Sequence, residues 1–207
     1  MGSVVSILSG AKGFDESGYA ITGAYAACAA TNYGMSFVGR YISLTVGEQS
    51  GDLTSAEAVQ ITENGLAILV VQHCYSAPSF TNYAAQGKTD AQTAISNLDN
   101  MVAPSGLFVY CDIEHFLTFD DGAAYAQAWG TEINASGTYK AGYYGDQTIL
   151  NLITGVTWHG LWENVANMGA LTGANISQGA ATTLSCDTSI GIDTDAMVTG
   201  LGGFWGY

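Results

Sequence analysis

Residues 107–116 read LFVYCDIEHF, a run of apolar, β-branched and aromatic side chains that delivers Asp112 and Glu114 two positions apart. Only 11% of the 207 residues are charged, so two carboxylates at the end of a core-type strand require a reason. Alternation along a strand puts Tyr110, Asp112 and Glu114 on one face and Val109, Cys111 and Ile113 on the other. Carboxylates aimed into an interior are costly unless they are paired or used. Bases to pair with them are scarce, because Lys12, Arg40, Lys88 and Lys140 are the only lysines and arginines in the chain. Crowded carboxyls raise one another's pKa and so keep one of them protonated. A protonated acid beside an ionised one is the working pair of glycosidic bond cleavage. A bare Asp-x-Glu caps a loop or holds an adventitious cation just as readily. The weight therefore falls on the other acids that share its place in the fold.

The elements decide which acids those are. MSFVGRYIS (35–43), LAILVVQHC (66–74), GLFVYCDIE (106–114) and TYKAGYYG (138–145) read as strands, short and β-rich and bounded by Gly, Asn or Pro. GFDES (13–17) is a further strand, followed by the helix-like AYAACAATN (24–32). Other helical patterns run over 53–65, with Thr54 and Glu57 as a capping box and Asn64-Gly65 as a stop, and over 90–102 from an Asp90 cap. Two more span about 121–135 and about 146–153. Strands that alternate with helices imply parallel strands with covered outer faces. After residue 155 the rhythm changes: 161–167, 174–180 and 189–197 read as three short strands with no helix between them.

Five strand–helix units and three bare strands make eight strands, the number that closes a small barrel. The predicted fold class is therefore α/β: a TIM-like barrel of (β/α)5(β)3 type, shorter than the typical ~250 residues because three helices are missing. A doubly wound open sheet ranks second, since no glycine-rich phosphate loop follows the first strand. No linker or repeat divides the chain. It is expected to be one domain over 1–207, with a core of about 11–198 and a Gly/aromatic tail at 199–207 (GLGGFWGY from residue 200). In such a barrel the carboxyl ends of the strands share one face, and that face carries the site. Asp15 then ends the first strand, Asp112 and Glu114 the fourth, and Asp193 the last, with Asp195 two residues on. Arg40 and Tyr41 end the second strand and Gln72 and His73 the third, as cleft-lining candidates. Tyr75, Tyr144, Trp158 and Trp162 lie near strand ends, where sugar rings could stack on them.

Composition excludes several other classes. The 18 acidic against 4 basic residues give a net charge of −14, which leaves no basic patch for phosphates and argues against nucleic acid. No run of about eighteen apolar residues exists to span a membrane. Cys28, Cys74, Cys111 and Cys186 are too far apart for a zinc ribbon, and four cysteines allow three pairings. His159 has no partner at ligand spacing. Neither a metal nor any other cofactor is expected. No GxSxG occurs, which disfavours a nucleophilic serine hydrolase. The opening MGSVVS fits the formal myristoylation pattern but reads as an ordinary start, and SVVSILSG is too short for a signal peptide. Few lysines, many small residues and four cysteines point to an exported, extracellular or surface protein, its leader already removed or its route a different one.

GFDESGYA (13–20), FVGRYIS (37–43), LTSAEAVQITENGLAILVV (53–71), GKTDAQTAI (87–95), LFVYCDIE and AGYYG (141–145) resemble the glycoside hydrolase-like domain DUF1906, which is related to the family 25 muramidases. SQGA (177–180) followed by GIDTDAM (191–197) resembles the closing segment of that superfamily. The resemblance covers most of 13–197 and rests on the order and spacing of these segments. It implies a barrel acting on β-1,4 links of peptidoglycan glycan strands. By the resemblance Glu114 is the general acid and Asp112 its partner toward the substrate's acetamido group. Asp15 and Asp193 are the flanking acids, and Gln178 the glutamine near the last strands. Asp195 stands where the pattern usually has Asn. Two functions follow. One is a muramidase-type hydrolase, exported or phage-delivered, with a glycan as its partner. The other is a silent barrel that binds glycans or self-assembles through the C-terminal tail.

Overall fold

The computed structural model describes residues 2–75, 81–116, 118–145, 147–154, 161–164, 174–186 and 189–207. Of Tyr75, His115, Ser189 and residues 161–164 only the backbone is described. The expected roles of Trp158 and Trp162 thus fall on side chains outside the described residues, as does His159.

Five strand–helix pairs follow a short N-terminal strand. β2 (Lys12–Glu16) leads to α1 (Gly23–Tyr33), β3 (Met35–Ile42) to α2 (Ser55–Glu63), and β4 (Ala67–Tyr75) to α3 (Tyr83–Asn100). β5 (Phe108–His115) leads to α4 (Phe119–Ala135), and β6 (Lys140–Gly145) to the short α5 (Gln147–Leu150). β7 (Leu161–Asn164), β8 (Ile176–Ser185) and β9 (Ser189–Met197) follow. Two outer strands, β1 (Ser3–Ile7) and β10 (Leu201–Gly206), complete a mixed sheet of 10 strands. The sheet runs β1-β10-β4-β3-β2-β9-β8-β7-β6-β5, and β5 pairs back with β4, so β2 to β9 form a ring. Neighbours from β2 to β8 are parallel; β9 is antiparallel to both β8 and β2. The expected lack of helices beside the last strands falls largely on 155–160 and 165–173, outside the described residues.

Local chemistry sets the helix ends, with two departures from expectation. Thr54 caps α2 by accepting the Glu57 N–H at 3.2 Å. Glu57 does not reach back to complete a capping box, because its carboxylate is held by Arg40 and by the Ile21 N–H at 2.8 Å. α3 begins at Asn82, whose Oδ1 accepts the Ala85 N–H, and not at Asp90. Asp90 is buried two turns into the helix, where its Oδ2 accepts the Tyr125 hydroxyl at 2.5 Å. A short polar side chain before an alanine-rich run looks like a cap in sequence, whichever of two candidates the fold selects.

Strand alternation divides the core. Val38, Val70, Val109, Cys111 and Ile113 join Ala26, Ile61, Ala94, Tyr125 and Trp129 in the layer between strands and helices. Phe37, Leu69, Phe108, Tyr110, Ile176 and Met197 fill the inside of the ring. Gly142 faces the same interior, where a Cβ would stand 2.9 Å from the Tyr110 ring. Tyr110 can fill the lower interior only because β6 has no side chain there. β10 closes the lower end: it pairs antiparallel with β1, its Trp205 is registered with Ile68 of β4, and Phe204 meets Phe37 edge-on at 5.3 Å. The Gly/aromatic tail is thus a strand of the sheet, with Phe204 fully buried.

Cys28 of α1 and Cys186, just beyond β8, form a disulfide across 158 residues of sequence, while Cys74 and Cys111 are buried thiols. Among the described residues no helix is long and apolar enough to cross a membrane.

Candidate active site

The inner face of the ring changes character at its upper end. Above the apolar layer lie Asp195 and Gln178, registered with each other on β9 and β8, and above them Asp15 and Asp193, registered on β2 and β9. Asp193 was expected to end its strand. In fact β9 runs downward, which places Asp193 beside Asp15 and Asp195 one pleat deeper, beside Gly13. From β5 come Asp112 and Glu114, and from β6 Tyr144, the register partner of Asp112. β3 supplies Tyr41, buried in the same inner cluster.

A chain of hydrogen bonds ties these strands together. The Tyr144 hydroxyl donates to Gln178 Oε1 at 2.7 Å, and Gln178 Nε2 donates to Asp15 Oδ2 at 2.8 Å. Tyr144 also hydrogen-bonds with Glu114. Asp112 Oδ1 accepts the Glu114 backbone N–H at 3.1 Å. Exposure separates the two carboxyls of the Asp-x-Glu: Asp112 is 4% exposed, whereas Glu114 is only partly buried.

Burial governs the charge state of the deeper acids. It pushes Asp112 up to about 8; the Glu114 N–H pulls the other way, and the nearby charges of Glu114 and Asp15 push further. Asp15 rises to about 7, first by burial, against the Gln178 hydrogen bond and with help from Asp193, Glu16 and Glu114. Below neutrality these two are therefore neutral acids. Tyr41 and Tyr144 are held well above the usual phenol range by burial and then by nearby carboxylates. Both therefore keep their hydroxyl protons. A cavity of about 260 Å³ opens beside Asp15 and Asp193, lined also by Glu16, Ser17, Ala181 and Ile192.

Asp15, Tyr41, Asp112, Glu114, Tyr144, Gln178, Asp193 and Asp195 thus converge on one end of the ring. Arg40 and Gln72 do not. Both stand on the helix-facing side of their strands and are completely buried. Arg40 Nε donates to Glu57 Oε1 at 2.7 Å, and its other nitrogens reach the carbonyls of Glu16 and Gly51. It fastens the loops on either side of the site from behind. Gln72 donates to the Asp90 carbonyl at 2.9 Å and accepts the Trp129 indole N–H at 2.6 Å. The same alternation that sorts β5 sends Arg40 outward while Tyr41 points in, and Gln72 outward while His73 points in. His73 stacks on Tyr41 with ring centroids 4.3 Å apart, and its Nε2 lies 3.7 Å from Asp52 Oδ1. Asp52, in the β3–α2 loop, was not a sequence candidate, and only its place in a loop after a strand end signalled it. Among the described residues no cluster of His, Cys, Asp and Glu fits a metal ion.

Residues 15–197 match the family described as Rv2525c-like, glycoside hydrolase-like domain. The chain belongs to that family. The match begins at Asp15 and so spans the ring from the first acid of the site to the end of β9. Among solved structures, the Tat-secreted protein Rv2525c of Mycobacterium tuberculosis, in complex with HEPES, is similar with a TM-score of 0.67 at 14% identity, over 91% of this chain and 96% of that one. The modular autolysin LytC of Streptococcus pneumoniae, in complex with a synthetic peptidoglycan ligand, is similar with a TM-score of 0.67 at 10% identity, over 94% of this chain but 46% of LytC. The catalytic domain of endolysin ply40, from phage P40 of Listeria monocytogenes, gives 0.58 at 12% identity, over 91% and 93%. At these identities the likeness is one of fold. No curated protein sequence matches the chain. The Rv2525c-like domain thus shares its fold with an autolysin and with the catalytic domain of an endolysin.

Proposed function

We propose that this Rv2525c-like domain is a (β/α)5(β)3 barrel that cleaves β-1,4 links of peptidoglycan glycan strands outside the cell. The observation that carries the reading is the convergence of Asp15, Asp112, Glu114 and Asp193 on the upper end of the ring, bridged by Tyr144 and Gln178. Glu114, the more accessible carboxyl of its pair, gives its proton to the glycosidic oxygen. Asp112, beneath it, hydrogen-bonds the acetamido group of the sugar. Asp193 on the facing strand stabilises positive charge developing at the sugar carbon, and Asp15 supports it under the hold of Gln178. Glycan substrate and extracellular placement are supported by the folds of LytC, ply40 and Rv2525c and by the Cys28–Cys186 disulfide, a bond that persists in oxidising compartments.

The test is release of reducing ends from purified peptidoglycan by wild type and Glu114→Gln, across about pH 4 to 7. Loss of the proton donor is expected to cost about 10²-fold or more in rate. Folded wild type that releases nothing above background would sink the hydrolase.

A second reading is a glycan-binding barrel without turnover. It is favoured by the near-complete burial of Asp15 and Asp112, at 6% and 4% exposure. Pull-down on the same peptidoglycan without release of reducing ends would establish it.

A further inference from the structure

The two thiols left over by the Cys28–Cys186 bond are not independent of each other. Cys74 on β4 and Cys111 on β5 belong to adjacent parallel strands, and their Sγ atoms stand 3.0 Å apart. Non-bonded carbon atoms rest at about 3.5–4.0 Å, and sulfur is the larger atom, so this is closer than packing alone requires. The pairing of β4 with β5 carries a register irregularity between His73 and Tyr75, at Cys74 itself. Both side chains are buried, at 1% and 0% exposure, in the layer that also holds Tyr125, Ala126 and Tyr143. Cys111 is the register partner of Gln72, so Cys74 lies two residues further along β4 and the two side chains meet diagonally across the strand pair.

We propose that Cys74 and Cys111 are a site of covalent modification, closing a second, buried disulfide that staples β4 to β5. The oxidant is a small-molecule or protein disulfide of the compartment in which the chain folds. One cysteine attacks it as a thiolate and the second displaces the reduced donor. Two cysteine thiols and one donor disulfide thereby become the Cys74–Cys111 bond and two donor thiols. Because helices seal the pair, the bond forms while the chain folds, before α3 and α4 pack over it. The staple would fasten the two strands that present His73 and Asp112, which are register partners at the site.

The experiment is to refold the reduced, full-length chain in glutathione buffers graded from reducing to oxidising, unfold without reductant, alkylate and map the peptides. Cys74 and Cys111 are expected to become resistant to alkylation and to appear as one linked peptide pair. Both thiols staying alkylatable in the buffers where Cys28–Cys186 is fully joined would overturn the proposal. A second measurement does not depend on the first bond. In Cys28→Ser/Cys186→Ser, prepared in oxidising buffer, dithiothreitol should lower the melting temperature. The further change Cys74→Ala/Cys111→Ala should abolish that sensitivity. A melting temperature of the Cys28→Ser/Cys186→Ser protein that ignores the reductant contradicts the staple.

Discussion

Gln178 Nε2 donates to Asp15 Oδ2 at 2.8 Å across the inside of the ring. The same amide accepts the Tyr144 hydroxyl, so one neutral side chain on β8 fixes a carboxyl on β2 and a phenol on β6. A charged residue in that place would add repulsion; an apolar one would leave its partners without their bonds. Gln178→Leu should therefore cost about 1–3 kcal/mol of stability, the penalty for leaving a buried polar group unsatisfied. It should also raise the Asp15 pKa further, since the lost bond is the one holding it down. Urea unfolding checks the first effect. Carboxyl titration of Asp15 by NMR checks the second.

Burial of the acids gives stability a pH dependence of defined sign. Asp15 and Asp112 titrate at about 7 and about 8 in the folded chain, against an ordinary value of 3.8. Between those values the folded state holds more protons than the unfolded state, so stability falls as pH rises. Their contribution is fully present below about pH 4 and lost by about pH 8. For an independent group, a tenfold gain in proton affinity on folding is worth about 1.4 kcal/mol, and the mutual coupling of these two makes the total less than additive. Melting temperatures across this interval should decline in wild type and decline less in Asp112→Asn. An upward slope would contradict the assignment of both groups.

Arg40 tests the outer layer. Its guanidinium is completely buried against Glu57, itself 5% exposed. Arg40→Met leaves a buried carboxylate without its cation, a loss of about 3–5 kcal/mol. Arg40→Met/Glu57→Leu should recover part of it. Denaturant midpoints for wild type, both single variants and the double variant decide the matter. If Arg40 instead contacted substrate, the single variant would lose glycan hydrolysis with its midpoint unchanged.

The C-terminal strand is expected to behave as core. Phe204→Ala removes a fully buried ring that packs on Phe37, at a cost of about 3–5 kcal/mol. Deleting 200–207 would also strip β1 of its described strand partner. Thermal unfolding of Phe204→Ala gives the answer; a melting temperature equal to that of wild type would return the tail to the role of an adhesive segment.

Much of the fold was legible because it rests on periodicity. The strands over 35–42, 67–75, 108–115 and 140–145 and the helices between them follow from runs of apolar residues and their stops, which act within a few residues. Alternation likewise fixes that Asp112 and Glu114 point inward while Cys111 points outward, because side chains on a strand have a period of two. The same rule separates Tyr41 from Arg40 and His73 from Gln72. Proximity to a strand end is therefore a weaker guide to a site than parity along the strand.

The tertiary structure decided what depends on partners distant in sequence. The direction of β9 sets whether Asp193 or Asp195 lies beside Asp15, and direction follows from a closing connection that no local pattern encodes. The place of 201–206 follows from pairing with 3–7, almost the full length of the chain away. The choice of Cys28 with Cys186 among three pairings required α1 and the end of β8 to meet in space. The raised pKa values of Asp15 and Asp112 belong to the same class, because desolvation is a property of the enclosure and not of the residue. By itself the sequence determined which residues carry charge and which way most of them face; folding alone determined which of them share a wall, and so which are neutral at the pH where they would work.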